Sequence, residues 1–277
     1  MTFDNCDHCH NEVPSSWVRC PHCGLPGLFP NVRAAQAEPE RQALDRRYED
    51  ALAAAGIRGA RGAVEAFEAA ARSSKAVAAR SMRELDRLSE SDKELFPSYY
   101  GMLKGQVRMP HGNEWDILRG IADDALFPGY KEEIRFAALS LDGVGLTRYG
   151  ECSFVLRESM IAHRATVYEE NSTLSMKRHA YEAPPGHRAT WEDRAKLCVA
   201  KTAGDIQAET GAELFPKLLL DQGATSREDR FVEVHVWGPM TIRSVERVVV
   251  GTLRRQAFRK ALRDRLAGFD AVLEETR

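Results

Sequence analysis

The sequence predicts an α+β protein headed by a small metal-stapled module, and three observations carry that expectation. Four cysteines open the chain in two close pairs, Cys6-Asp-His-Cys9 and Cys20-Pro-His-Cys23. A stretch rich in Ala, Glu and Arg with helical periodicity follows them. Beyond Leu95 the texture changes to short apolar runs of strand length scattered among helical segments. The expected organisation is a zinc ribbon over residues 1–30, a helical hairpin or arm over 38–92, and a mixed α+β catalytic-like domain over 95–277.

Two C-x-x-C knuckles at this spacing can bring the thiolates of Cys6, Cys9, Cys20 and Cys23 to one tetrahedral point, which a structural Zn²⁺ requires. Gly24, just behind the second knuckle, permits a tight backbone turn that aims amide N–H groups at sulfur. A module of about thirty residues cannot build a sufficient apolar core, so the metal is expected to supply most of its stability. His8, His10 and His22 are alternative ligands, although His8 and His22 lie inside knuckles where a sulfur is nearer at hand. The ribbon's own partner, nucleic acid or protein, stays open at this point.

Composition excludes more than it identifies. With a net charge of −2 over 277 residues, the whole chain exerts no long-range pull on nucleic acid or on a membrane surface. No apolar run is long enough to span a bilayer, and the N-terminus lacks a basic segment followed by an apolar core. The expected location is the cytoplasm, where reduced thiols remain available to zinc. Cys152 and Cys198 are left over and are expected to be buried free thiols.

In the arm, Leu44, Tyr48, Ala51, Leu52 and Ala55 share one helical face, and Val64, Phe67, Ala71, Ala78, Met82, Leu85 and Leu88 continue it after a break at Gly56, Gly59 and Gly62. Two amphipathic helices that space the ribbon from the rest, or pair with a second copy of the chain, are expected there. Strands are expected at 134–141, stopped by Asp142-Gly143, then at 152–156, 165–168, 231–237 and 248–250. Helices are expected from Trp191 to Ile206 with Thr190 as cap, and from Arg254 to Glu274.

The segment 231–237 is the candidate for chemistry. Alternation puts Val232, Val234 and Val236 on one face and Phe231, Glu233, His235 and Trp237 on the other. The valine face is expected to be the core face. The other face then holds a carboxylate and an imidazole between aromatic rings, apolar enough to shift a pKa and polar enough to hold a substrate.

The run from Phe231 through Gly238-Pro239 to Val250 resembles the closing motif of bacterial ADP-ribosyltransferase-like proteins, where a strand bearing Glu-x-Gln or Glu-x-His enters a Gly-Pro turn and a short apolar stretch. The stretch from Ala138 through Arg148-Tyr149-Gly150 and Cys152–Leu156 to Asn171-Ser172 is similar to theirs in order and spacing. The resemblance covers roughly Arg135 to Val250. It implies a split β-sandwich that clamps NAD in a cleft between two small sheets, transferring ADP-ribose to a nucleic-acid or protein acceptor, in a toxin or defence role. It implies Glu233 as catalytic glutamate, with His235 orienting the acceptor or acting as its base. Arg135 is implied at the pyrophosphate, and Tyr149, Ser153 and Ser172 are candidates for the nicotinamide side. One departure is visible: many such transferases carry a glutamate or glutamine two residues before the catalytic one, and Phe231 stands there.

Competing readings exist for several of these residues. Arg135 can simply pair with Glu132 or Glu133, and Asn171-Ser172 is also an ordinary turn signal. At the level of the whole chain, the alternatives are a non-enzymatic zinc-ribbon nucleic-acid-binding or regulatory protein, and a metal-dependent hydrolase built on His111, His163, His179 and His187. The second lacks any paired ligand spacing such as H-x-x-x-H.

Overall fold

A computed structural model of the chain describes residues 3–104 and 114–276. The N-terminal segment is a hairpin, β1 (Phe3–Asn5) antiparallel to β2 (Glu12–Pro14), around a core of Cys6, Val13, Trp17 and Cys20. So few apolar side chains cannot hold a fold without a staple. Pro30 then opens α1 (Pro30–Gln36), and α2 (Glu38–Ile57) also has a proline in its first turn, where the missing N–H goes unused. The helix α3 (Arg61–Arg72) follows.

The expected helical arm ends there. Residues Lys75–Arg80 form a strand, β3, and α4 (Met82–Glu90) starts only after it, at a capping box in which the Ser81 side chain accepts from the Glu84 amide and Glu84 reaches back to the Ser81 amide. Ala-Val-Ala-Ala carries helix propensity, but a slot between two strands overrides it. The apolar stripes expected to form a spacing or self-pairing arm lie in this chain's own core: Leu44, Ala55, Val64, Phe67, Ala71, Leu85 and Leu88 pack with Phe154, Val234 and Leu197.

Two further helices, α5 (Tyr99–Lys104) and α6 (Glu114–Leu126), precede β4 (Ile134–Ser140) and β5 (Cys152–Leu156). Next come α7 (Glu158–Ile161), β6 (Ala165–Tyr168), α8 (Ser172–Arg178), β7 (Arg188–Thr190) and α9 (Arg194–Thr202). Asn171-Ser172 is thus a helix start, with the Asn171 side chain accepting from the Leu174 amide at 3.0 Å. The rest comprises α10 (Phe215–Leu219), β8 (Leu220–Asp221), β9 (Arg230–Phe231), β10 (Glu233–Trp237), β11 (Val245–Val250), α11 (Gln256–Ala267) and β12 (Val272–Glu275). The expected terminal helix over 254–274 therefore stops early. Gly268 caps it, Asp270 turns the chain with φ +58°, and β12 returns parallel to β11.

One mixed sheet organises the molecule, in the order β12-β11-β5-β3-β4-β10-β6-β7. The face bearing Val234, Ala76, Ala78 and Leu139 packs under α2, α3 and α9 and forms the main core. The sheet is forked at its centre. Strands β3 and β4 pair only through Lys75–Val77 against Ser140–Ala138. Beyond that point β3 continues along β5 to Arg80, while β4 continues along β10 to Ile134. Two half-sheets thus share a hinge of three residue pairs and open away from each other. Among the described residues no helix is long and apolar enough to cross a membrane.

Candidate functional site

A cavity of about 260 Å³ lies in the fork. Ala79 and Arg80 line it from β3, Arg135 to Ala138 from the edge of β4, and Phe231 and Glu233 from the β9–β10 segment; Tyr99 and Arg119 close it from α5 and α6. Strand register explains why Glu233 reaches it: Glu233 faces Ala138, which in turn faces Val77 across the last pair before the strands part.

Both faces of β10 are covered. Glu233 and His235 are buried, as are Val232, Val234 and Val236. Oε2 of Glu233 accepts from the Ser172 amide at 2.9 Å and lies 3.2 Å from Nε2 of His235. Oε1 makes no hydrogen bond among the described residues. Burial alone would push this carboxyl up. The bond to His235, its charge, the Ser172 amide and the nearby Arg119 outweigh burial and hold Glu233 below the usual carboxylate range.

His235 itself does not line the cavity. Its ring packs among Phe127, Phe136 and Tyr168, with centroids 4.9, 5.4 and 6.1 Å away. It supports Glu233 from outside the cavity lining. Ser172 contributes its backbone N–H, and its buried side chain stays outside the cavity lining. Tyr149 does line the cavity, half-exposed at the end of a 3₁₀ turn; Arg148 anchors that turn to Gly223 O at 2.6 Å and to Asp229 at 3.4 Å.

Ser153 is not part of this site. Its hydroxyl is buried and accepts from the Gly145 amide at 2.9 Å, tying the loop after β4 to β5. Arg135 lines the cavity by its position on the β4 edge, but pairing with Val236 puts its side chain on the valine face. The guanidinium donates to Glu133 O at 2.7 Å and lies 3.7 Å from the Glu133 carboxylate, the pairing weighed against a pyrophosphate role.

Two arginines that sequence reasoning passed over are better placed. Arg80 ends β3 at the cavity and Arg119 enters from α6. Arg80 had a readable signal, since the capping box Ser81-x-x-Glu84 marks a helix start just after it. Arg119 had none, because its neighbours Tyr99 and Phe136 are distant in sequence.

The four cysteine sulfurs converge, all within 4.8 Å of one another, with Cys6–Cys23 at 3.9 Å and Cys9–Cys20 at 3.7 Å. A tetrahedral ion with metal–sulfur bonds of about 2.3 Å sets sulfurs about 3.8 Å apart. The group therefore fits a metal such as zinc and a small zinc ribbon. The knuckles are near copies: the His8 and His22 amides point at Cys6 and Cys20 sulfur at 3.5 and 3.4 Å, and His10 and Gly24 turn the chain with φ +59° and +72°. His8 and His22 are not ligands. Their Nε2 atoms lie 3.2 Å from Pro26 O and Glu12 O, each reaching across to the other knuckle's side of the ribbon.

Among the described residues no other group of His, Cys, Asp and Glu converges for a metal. His187 lies 2.8 Å from Glu169 and 5.6 Å, ring to ring, from His179, while His163 packs on Phe29; His111 lies outside the described residues. No protein-family model matches this chain, and no curated protein matches it.

Proposed function

We propose that this chain is an NAD-consuming ADP-ribosyltransferase whose site is the cavity in the forked sheet, with a split β-sandwich of the ADP-ribosyltransferase type as its fold. The observation that carries the reading is Glu233: an ionised, buried carboxylate that lines the cavity, with one oxygen held by Ser172 and His235. A carboxylate so fixed suits a glycosidic bond that breaks through an oxocarbenium-like state. It stabilises the developing positive charge without having to reorganise. The C1′–N bond of the nicotinamide riboside breaks with the electron pair leaving on nicotinamide, and an acceptor heteroatom bonds to C1′ as it loses its proton. The fork supports the same reading, because two half-sheets hinged at three residue pairs leave a cleft where a dinucleotide can lie.

We assign zinc to the four cysteines, as four thiolates in tetrahedral reach favour it, with a structural role in a ribbon. The ribbon favours a protein acceptor over a nucleic acid. Residues 1–30 carry Asp4, Asp7 and Glu12 against Arg19 alone, so a phosphate backbone meets no attraction there.

The test is nicotinamide release from NAD by the zinc-loaded chain, wild type against Glu233→Gln. The substitution keeps the shape and removes the charge, and is expected to lower turnover by about a hundredfold or more. No turnover by the wild type, together with no heat of NAD binding, would sink the reading.

A further inference from the structure

Arg119 is the least satisfied charged side chain of the cavity. Its guanidinium carbon lies 4.2 Å from the Tyr99 ring centroid and 4.4 Å from that of Phe136, and its side chain is 18% exposed. Its one carboxylate contact is Nε to Asp123 at 3.4 Å, and Nε is without a hydrogen-bond partner. Among the described residues the group makes no hydrogen bond at all. An enclosed guanidinium with unused N–H donors is costly unless something else meets them. Asp123 balances the charge from behind, fully buried and accepting from the Tyr100 hydroxyl at 2.8 Å, but does not satisfy the donors.

Held against two rings, Arg119 has its planar N–H edge left for a ligand, and that edge matches a phosphate in two-pronged geometry. A second guanidinium lines the same cavity from β3. Arg80 donates to its neighbour's carbonyl, Ala79 O at 2.8 Å, and its Nε faces Glu84 Oε1 at 3.7 Å with neither atom hydrogen-bonded. Two such groups in one cavity favour a ligand with two adjacent negative charges.

We infer that Arg119 is the anion anchor of the cavity and that it takes the diphosphate of a nucleoside diphosphate, with Arg80 as its partner. The choice of a nucleotide as carrier rests on the proposed function; the anion site itself rests on Arg119.

Calorimetry of the full zinc-loaded chain with ADP-ribose tests this. Arg119→Gln is expected to weaken binding by about tenfold or more, and Arg119→Lys to weaken it as well, since an ammonium keeps the charge but loses the flat two-pronged edge. Asp123→Asn keeps the acceptor for Tyr100 and removes the competing negative charge, so it is expected to tighten binding by roughly threefold or more. A merely structural Arg119 would not predict that gain. Wild-type affinity in Arg119→Gln, or no binding of ADP-ribose by the wild type, overturns the inference. Should Arg119→Gln fail to fold by circular dichroism, Asp123→Asn decides, and unchanged or weaker binding there overturns it equally. Binding of ADP-ribose without nicotinamide release from NAD would end the transferase reading and leave the anchor standing; release with Arg119→Gln unaffected would do the reverse.

Discussion

Glu233 is held by partners that converge on one of its oxygens and come from two elements. The Ser172 amide arrives from the start of α8 and His235 from two residues along the same strand, while Arg119 adds charge from α6. Because these outweigh burial, the folded-state pKa lies below the unfolded value of about 4.3. A depressed carboxyl contributes stability above its unfolded pKa, and that contribution is lost as pH falls through the folded value. The wild type's stability advantage over Glu233→Gln is therefore expected to be complete near pH 7 and to shrink as the pH drops below about 4. Urea midpoints of both proteins at neutral and acid pH measure it. An advantage that grows on acidification would mean that the carboxyl is buried neutral, and would remove the electrostatic basis of the proposed chemistry.

At the scale of elements, the fork depends on how closely neighbouring segments approach β3. Gly150 has φ +155°, and a Cβ built on it would fall inside the backbone of Arg80. Gly150→Ala must push the 3₁₀ turn away from β3 or bend the strand end that carries Arg80, at an expected loss of about 2 kcal/mol. Gly56 is the control: it sits in α2, where an added Cβ would meet nothing within 4 Å, and Gly56→Ala is expected to gain up to about 1 kcal/mol. Thermal melts of the two variants should move in opposite directions; similar shifts would contradict the close approach at β3. The same strand marks the limit of what was legible in the sequence. Strands β5, β6 and β10 were readable because they are short runs carrying aromatic and β-branched residues, alternating in β10, which Gly238-Pro239 ends. Strand β3 was not, since its alanines favour a helix locally and only pairing on both sides makes them a strand. The cysteine cluster was legible because spacing alone determines it, and Glu233 because alternation places it. The Arg119 stack was hidden, as it assembles from α5, α6 and β4 through contacts that no local pattern records.

At the scale of the whole molecule, a single helix turn joins the ribbon to the sheet. Arg33 on α1 donates to Trp17 O at 2.9 Å and Ser15 O at 2.7 Å and stacks 4.6 Å from the Trp17 ring, gripping the ribbon. Two residues earlier, Asn31 donates to His235 O and to Arg164 O, each at 3.1 Å, gripping the strand that carries Glu233. The two apolar cores stay separate: the ribbon's cluster of Cys6, Val13, Trp17 and Cys20 contributes nothing to the main core, which begins at Leu44. A metal-dependent fold whose core is its own should unfold on its own when the metal leaves. Removing zinc with a strong chelator, or substituting Cys20→Ser, is expected to expose Trp17 and red-shift its emission while the far-UV signal of the sheet and its helices persists. The main melt should then remain as a separate cooperative transition. Collapse of both signals in one step would instead make the ribbon part of a single cooperative unit, with Asn31 and Arg33 carrying enough energy to bind the two cores into one.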